Sequence, residues 1–390
     1  MAKKKPGKKK PSIEIELEGN IEAEMRVFTE GVDMRDDNTV NFSFSADPIL
    51  EMFWDRGDQS LTVNPFWRID QNDRERTHWD IRQLKWIGVF DNWELRAGVD
   101  RVFWGVTESA HLVDVINQDD QLEDIDGEDK LGQPLVSASY QSDWGTLTAY
   151  LMPYFREREF PGPKGRPSGP FTIDEEQAVY GAGDNRWLLD WALRYTHYFG
   201  PVDLGLSYFN GLSRDPTLLP GTNANGTPVL TPFYDKISQV GIDTQLTLGS
   251  WLFKFEGITV DPRNSARYWS FASGFEYTFY EVFGSGADIG LLMEYLWDSR
   301  GQIGPSASES DLFIGMRWEG NDVNTTRVLG GVVFDLDTSS KALFVEASRR
   351  VGENWRITLD ARFFVSIPPG DPLFFFRTED FVQLRVARFF

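Results

Sequence analysis

The sequence predicts an all-β fold, an antiparallel up-and-down β-barrel that spans a membrane with about 18 strands. Its 390 residues include 14 Trp, 12 Tyr and 30 Phe, yet only 41% are hydrophobic and the mean hydropathy is -0.37. No run of about 18 apolar residues is present, which excludes a transmembrane helix. A barrel accounts for this mixture, because only every second residue of each strand contacts lipid.

The first predicted strand shows the period of two that defines an extended chain. Its apolar face is Ile13, Ile15, Leu17, Ile21, Ala23, Met25 and Val27. Its polar face is Glu14, Glu16, Glu18, Glu22, Glu24 and Arg26. Five glutamates against lipid, at about 1 kcal/mol each, would approach the whole stability of a domain. The apolar face is therefore predicted to point outward.

The same alternation continues to the end of the chain, interrupted in turn by short and long polar connections. The short ones fall near 55–59, 90–92, 142–145, 200–201, 249–250, 284–287, 320–324 and 352–354. The long ones fall near 31–38, 70–76, 105–132, 157–187, 213–232, 261–267, 299–310, 335–340 and 368–378. The segments between them number about 18, with 16 as the alternative because segments such as 61–69 are weak. An even number places both chain ends at the end of the barrel that carries the short turns.

Tryptophans concentrate at the ends of the predicted strands. Beside the short turns lie Trp54, Trp93, Trp144, Trp251, Trp318 and Trp355, and near the other strand ends lie Trp104, Trp187, Trp269 and Trp297. Indole rings prefer the boundary between hydrocarbon and water, so these positions predict two aromatic girdles. The alternative is a set of core tryptophans in a soluble β-sandwich, which requires no concentration near turns.

Composition excludes several classes of function. The formal net charge of -21 argues against a nucleic-acid partner, and the lack of cysteine excludes disulfides, thiolate metal sites and cysteine nucleophiles. Residues 1–11 are rich in lysine but lack the apolar stretch of a secretory signal. They are an added solubilising tail or a native arm that contacts anionic lipid or peptidoglycan, and residues 12–390 are predicted to form a single barrel domain.

The long connection 105–132 is strongly acidic. Eight of its carboxylates fall within 16 residues: Asp114, Asp119, Asp120, Glu123, Asp124, Asp126, Glu128 and Asp129. If this loop folds into the barrel, its charges would concentrate cations at a constriction. The alternative is a solvated external loop. An EF-hand is excluded, because with Gly127 at the sixth position Leu122 and Gln133 would fall where acidic ligands are required.

Alternation also predicts which charged residues line the interior wall. These are Arg82, Arg96, Asp100, Arg194, Lys254, Glu276, Glu294, Arg317, Glu346, Arg350, Asp360 and Arg362. Acidic and basic groups that face each other across a pore produce a transverse field that orients polar solutes. We expect the loop acids Asp119, Asp120, Glu123, Asp124 and Asp126 to face Arg82, Arg96, Arg350 and Arg362. The alternative is that the same groups form salt bridges that stiffen the wall.

Enzyme chemistry is not favoured. The three histidines are His78 at a strand edge, His111 in the acidic loop and His197 on a predicted outward face. No phosphate loop, dinucleotide fingerprint or metal-spacing motif is present. The connection 157–187 is rich in Pro and Gly and is predicted to be mobile surface, with a cover over the barrel mouth as the alternative.

The last predicted strand alternates Val382, Leu384 and Val386 with polar or small residues and leads to Phe390. It resembles the C-terminal strand of Gram-negative outer-membrane β-barrels, which the barrel-assembly machinery reads. Arg388 departs from that pattern, since the family prefers an aromatic or apolar residue there. The strand rhythm and the acidic loop between strands five and six resemble the general porins, and the stretch 96–105 is similar to alginate-export-like 18-stranded porins.

This resemblance implies an integral protein of the bacterial outer membrane that acts as a passive diffusion channel for small hydrophilic solutes or ions. It implies contacts with outer-membrane lipid, lipopolysaccharide and the assembly machinery, and a homotrimer. No cofactor is expected, apart from a divalent cation at the acidic loop as an alternative. A second hypothesis is a barrel that serves as a structural sheath for a periplasmic or cell-surface partner.

Overall fold

The computed structural model describes residues 13–30, 38–181, 183, 186–301 and 309–390. The lysine-rich residues 1–11 lie outside this part of the chain. The strands, in chain order, are β1 (Glu14–Phe28), β2 (Val40–Trp54), β3 (Gln59–Asp70), β4 (His78–Phe90), β5 (Trp93–Asp100), β6 (Gln133–Ser142), β7 (Gly145–Met152), β8 (Val179–Tyr180), β9 (Asp190–Phe199), β10 (Val202–Leu212), β11 (Thr217–Thr222), β12 (Pro228–Tyr234), β13 (Lys236–Leu248), β14 (Trp251–Pro262), β15 (Tyr268–Phe279), β16 (Asp288–Asp298), β17 (Ser310–Glu319), β18 (Arg327–Asp335), β19 (Lys341–Val351), β20 (Trp355–Val365) and β21 (Phe381–Phe389). Short 3-10 turns span Asp55–Gly57, Glu175–Gln177, Val282–Gly284 and Pro372–Phe376.

Eighteen of these strands form one closed antiparallel sheet, and β8, β11 and β12 form a separate small sheet. Closure is made by β1, which pairs with β2 on one side and with β21 on the other. A closed sheet leaves no unpaired edge, which a structure surrounded by lipid requires. The predicted fold class and the count of 18 strands are confirmed. The weak segment 61–69 lies within β3, where the register with β4 shifts between Asn64 and Pro65.

The two faces of the strands differ as the alternation predicts. In β2, Phe42 and Phe44 are 52% and 49% exposed, whereas Asn41, Ser43 and Ser45 are buried. In β1 the leucine and isoleucine side chains are exposed on the outside, and Glu24 and Arg26 are buried inside. The outer surface is therefore apolar, as lipid contact requires, and the interior is polar and charged. Among the described residues, no helix is long and apolar enough to cross a membrane.

The short connections all lie at one end of the barrel and the long connections at the other. Trp93, Trp144, Trp251 and Trp355 are 40–49% exposed beside the short turns, as predicted for an aromatic girdle. At the other end, β11 and β12 form a hairpin, and β8 from the preceding long connection pairs in parallel with β12. Two long connections are thus joined into one structure over that end of the barrel.

Candidate functional site

The acidic connection between β5 and β6 lies against inward-facing side chains of the barrel. It comprises residues 101–132, here called L3, and begins four residues earlier than the predicted 105–132. Its base is held by Asn117, whose side chain accepts from the Val102 amide at 2.9 Å and donates to the carbonyls of Asp100 and Leu131. Such side-chain bonds satisfy backbone groups that no strand ladder reaches.

One part of L3 is apolar and packs on the wall. Trp104, Val113, Val115 and Ile116 are at most 5% exposed. They form a single cluster with wall residues on β6, β7, β9, β10, β13 and β14: Leu135, Met152, Ala192, Phe209, Ile237 and Val260. Fully burying an aliphatic side chain of this size contributes about 1.5–3 kcal/mol. The prediction of Trp104 as a girdle residue is wrong, because its ring lies inside the barrel, near Tyr150 and the Arg194 guanidinium.

Glu256 on β14 holds the backbone of L3 at a second place. One of its carboxylate oxygens accepts from the amides of Val106 and Thr107 at 2.6 and 3.0 Å, and from the Thr107 hydroxyl at 2.9 Å. The other oxygen accepts from the Val113 amide at 3.2 Å. Hydrogen bonds from backbone N–H groups to a carboxylate are strong, so Glu256 fixes the conformation of residues 106–113.

Glu294 on β16, two strands beyond β14 in the sheet, also holds the backbone of L3. It accepts from the amides of Glu108 and Ser109 at 2.8–3.1 Å and from the Ser109 hydroxyl at 2.6 Å. The Glu108 carboxylate in turn binds Arg317 on β17 at 2.7 Å. Glu294 and Arg317 were both predicted to face inward. Residues 106–113 of L3 are therefore held by side chains of β14, β16 and β17.

The acidic part of L3 meets a cluster of arginines on the other side of the barrel. Glu123 accepts two hydrogen bonds from Arg68 on β3, at 2.8 and 2.5 Å, and lies 3.4 Å from Arg82 on β4. Arg76 donates to the neighbouring Leu122 carbonyl at 2.7 Å. Burial opposes ionisation of Glu123, but Arg68 and then Arg82 lower its pKa to about 2. Glu123 is therefore a charged, buried anchor.

The remaining loop acids fall into two groups. Asp119 pairs with Lys130 and Arg158, Asp114 with Lys130, Asp124 and Asp126 with Arg362, and Glu128 with His111, at 2.6–3.6 Å. Burial raises the pKa of Asp114 to about 6, against the effect of the Lys130 ammonium. Burial raises the pKa of Asp120 and that of Asp129, and the nearby Glu123 carboxylate adds to both rises.

The predicted wall residues do not all face L3. Arg82, Arg194, Arg317 and Arg362 contact it, and Arg194 also forms a bidentate pair with Asp243 at 2.7 and 2.8 Å. Arg96 pairs with Glu94 and Asp100 on its own strand, and Asp100 also binds Lys85. Arg350 is exposed, and within the described chain it has no ion pair with a loop acid. Arg82 and Arg362 thus touch loop acids directly, whereas Arg96 and Arg350 lie apart from them.

A cavity of about 680 Å³ remains between L3 and the wall formed by β17–β21. Six carboxylates line it: Glu108, Asp126, Glu128, Glu319, Glu346 and Asp360. Four arginines line it: Arg317, Arg327, Arg362 and Arg385. Carboxylates therefore outnumber guanidinium groups in the lining of this cavity.

The connection between β7 and β9, described over residues 153–181, 183 and 186–189, contacts both L3 and the barrel wall. Arg166, predicted within a mobile surface segment, is buried and binds Glu379 at 2.9 Å, with its guanidinium 4.0 Å from the Phe28 ring centre. Arg158 binds Asp119 of L3 and the Arg214 carbonyl, at 2.9 and 2.8 Å. These contacts favour the alternative from the sequence, a cover over the mouth.

Sequence reasoning missed three residues that hold L3, namely Arg68, Arg76 and Glu256. Arg68 lies in the segment 61–69, whose alternation is weak because Pro65 interrupts it. Glu256 shares the inward parity of Lys254, so alternation could have found it. Arg76 lies in a loop, where alternation gives no information.

The closed antiparallel sheet with an even strand number, the apolar outer face, the charged interior and the contrast between short turns and long loops define an integral outer-membrane β-barrel. In this class the short turns are periplasmic and the long loops extracellular, so L3 belongs to the extracellular set. The outward alternation of Val382, Leu384 and Val386 before Phe390 is present in β21. Its role as an assembly signal, and the lipid, lipopolysaccharide and homotrimer contacts, stay predictions.

Several solved structures are similar to this chain. A mutant of the Rh. blastica porin has 10% identity and a TM-score of 0.47 over 97% of this chain and 100% of that chain. OmpT of Vibrio cholerae, in its trimer form, has 10% identity and a TM-score of 0.48 with the same coverage. An engineered protein studied for asymmetric conductivity has 11% identity and a TM-score of 0.48, again with this coverage. A scan against protein-family models and a search of curated proteins each found no match.

Proposed function

We propose that this protein is a passive diffusion channel of the outer membrane for small hydrophilic solutes or ions, and that L3 narrows its lumen. The observation that carries the proposal is the attachment of L3 to strands on different sides of the barrel. Glu256 and Glu294 hold residues 106–113, and Arg68 and Arg362 bind the segment around Glu123 and Asp126. A loop held at both places crosses the interior and leaves the cavity beside β17–β21 as the route for solutes.

The lining of that cavity supports a preference for cations or polar neutral solutes. Carboxylates outnumber arginines there, and Arg362 is already engaged by Asp124 and Asp126. Fixed charges in a narrow lumen act at short range, so they select by charge without a chemical step. Apolar side chains such as Leu329, Val333 and Phe344 share the lining.

The size of the cavity favours a channel over the sheath hypothesis. About 680 Å³ lies within the range of sites for small molecules, and is far too small for a folded protein partner. L3 and the cover formed by residues 153–189 occupy interior space that such a partner would need.

Single-channel recording in a planar bilayer across a KCl gradient tests the proposal. We expect stable conductance steps with a reversal potential that indicates cation selectivity, because the cavity is net acidic. Correctly folded barrel that gives no steps would contradict the channel and favour the sheath. Steps with anion selectivity would contradict the assigned route beside β17–β21.

The selectivity is expected to depend on pH through Asp126. Burial, and then Asp124, raises the pKa of Asp126 to about 7, against the effect of Arg362. Below this pKa the side chain is neutral, and above it the side chain adds a negative charge to the cavity. Cation selectivity should therefore rise as the pH passes from below to above 7. Reversal potentials measured over this range provide the test.

The variant Asp126→Asn should lose this rise while keeping the conductance steps. The matched control is Glu319→Gln, another acid of the same cavity, on β17. It should reduce cation selectivity yet keep the rise with pH. An unchanged rise in Asp126→Asn would show that a different group titrates.

A further inference from the structure

Three side chains with metal-binding atoms converge where L3 meets the start of β4. His78, Asp120 and Glu123 each offer one ligand atom, and these atoms lie within 4.8 Å of one another. The channel mechanism uses Glu123 as an anchor for L3, but it gives no role to His78 or Asp120.

The histidine has the hydrogen bonding of a metal ligand. Its Nδ1 lies 3.1 Å from the Arg76 carbonyl oxygen, and because a carbonyl only accepts, Nδ1 carries the hydrogen. In the neutral ring Nε2 then has a free lone pair. Nε2 is buried, and within the described chain it has no hydrogen-bond partner. A backbone carbonyl on the far nitrogen is the arrangement that orients metal-binding histidines.

The aspartate is buried and incompletely bonded. Asp120 is only 2% exposed, and its Oδ1 has no hydrogen-bond partner among the described residues. The charged groups near it include the acids Glu123, Asp129 and Glu159 and the base Arg82. A buried carboxylate with an unbonded oxygen is costly unless a cation or a proton compensates it.

We propose that His78, Asp120 and Glu123 bind one divalent transition-metal cation of the zinc class, which fastens L3 to β4. One imidazole nitrogen with two carboxylate oxygens is a ligand set that Zn²⁺ accepts, with a water molecule in the fourth position, whereas Ca²⁺ and Mg²⁺ prefer oxygen ligands alone. Glu123 can bind the cation and Arg68 together, because an ionised carboxylate has about four acceptor sites. Ligand atoms around tetrahedral zinc lie about 3.3 Å apart, so binding requires a modest contraction of the group.

The site would clamp L3 on the side of the barrel opposite to Glu256 and Glu294. It joins residues 120–123 to the first residue of β4, next to the arginine cluster that already holds Glu123. This inference does not depend on the channel, because cation binding can be measured whether or not solutes pass.

The test is calorimetric titration of the folded full chain, free of a histidine tag and treated with a chelator, with ZnCl₂ and separately with CaCl₂. We expect one Zn²⁺ per chain and no comparable Ca²⁺ binding. His78→Gln and Asp120→Asn should each weaken Zn²⁺ binding more than tenfold. The control His197→Gln should bind as the parent does, because this ring lies on the outer face beside Tyr195 and Phe199. Migration of unheated samples on gels verifies that each variant is folded.

X-ray absorption at the zinc edge of the unmodified protein gives a second test that needs no variant. It should show one imidazole together with oxygen ligands. Lack of Zn²⁺ binding, binding that survives both substitutions, or a spectrum without imidazole would each overturn the proposal. The first of these outcomes would mean that a proton, rather than a metal, compensates Asp120.

Discussion

Replacing Glu256 and Glu294 together with alanine is expected to raise the single-channel conductance by about twofold or more, because the lumen widens when L3 is released. The two carboxylates accept from five backbone amides and two hydroxyls of residues 106–113. Hydrogen bonds to a charged group are worth about 1.5–3 kcal/mol each, and the amides would be left without partners inside the barrel. Step conductance in planar bilayers measures the result directly.

Glu276→Ala is the matched control for this release. Glu276 lies on β15, between the two anchoring strands, and its ion pair is with Arg317 at 3.5 Å. Removing it changes the wall charge without freeing a backbone amide of L3. Hydrogen exchange at residues 106–113 should accelerate in the double variant and stay slow in the control. Unchanged conductance together with slow exchange in the double variant would show that the apolar cluster alone holds L3.

Replacing Arg68 with alanine is expected to lower the free energy of unfolding by about 3–5 kcal/mol, the cost of leaving a buried charge without its partner. Arg68 binds both Glu123 and Glu24, at 2.5 and 3.2 Å, and all three side chains are at most 7% exposed. Arg76 remains as a partner for Glu24, but within the described part of the chain Glu123 would keep an ion pair only with Arg82, at 3.4 Å. Urea unfolding of the barrel, followed by tryptophan fluorescence, provides the measurement.

The double variant Arg68→Ala with Glu123→Gln should recover part of that loss, because the uncompensated carboxylate is then gone. Arg267→Ala is the surface control. Arg267 pairs with Asp261 at the end of β14, and because both side chains are exposed, solvent screens the pair and no measurable change is expected. A loss in Arg68→Ala no larger than in Arg267→Ala would mean that the arginine cluster does not stabilise the barrel.

The strands could be predicted in detail because lipid imposes a strict local rule. Residues that face lipid are apolar, so the sequences of β1 and β2 show both the period of two and which face points outward. The short turns could also be predicted from the sequence, since Gly200 and Gly249 lie where the chain must reverse within a few residues. The position of L3 between β5 and β6, and its acidic character, followed from the same count.

The contacts of L3 could be predicted from the sequence only in part. Alternation predicts that Arg82, Glu294 and Arg362 face the interior, but it cannot tell which of them meets a loop acid. Arg96 satisfies its charge on its own strand, while Arg362, also predicted inward, binds L3. The odd or even position of a residue in its strand gives the face of the sheet on which its side chain lies. Its ion-pair partner depends on which strands the curvature of the barrel brings near the loop.

The sequence by itself determined the barrel, its apolar outer face and the acidic loop, and it left 18 or 16 strands open, because alternation depends only on the contact of each strand with lipid or water. Only the tertiary structure decided that Val113 and Ile116 pack on the wall, that Glu256 and Arg68 hold L3, and that His78 meets Asp120. These are encounters between residues far apart in the chain. Their energies depend on burial and on the exact set of neighbouring charges, which exist only after the sheet has closed on itself.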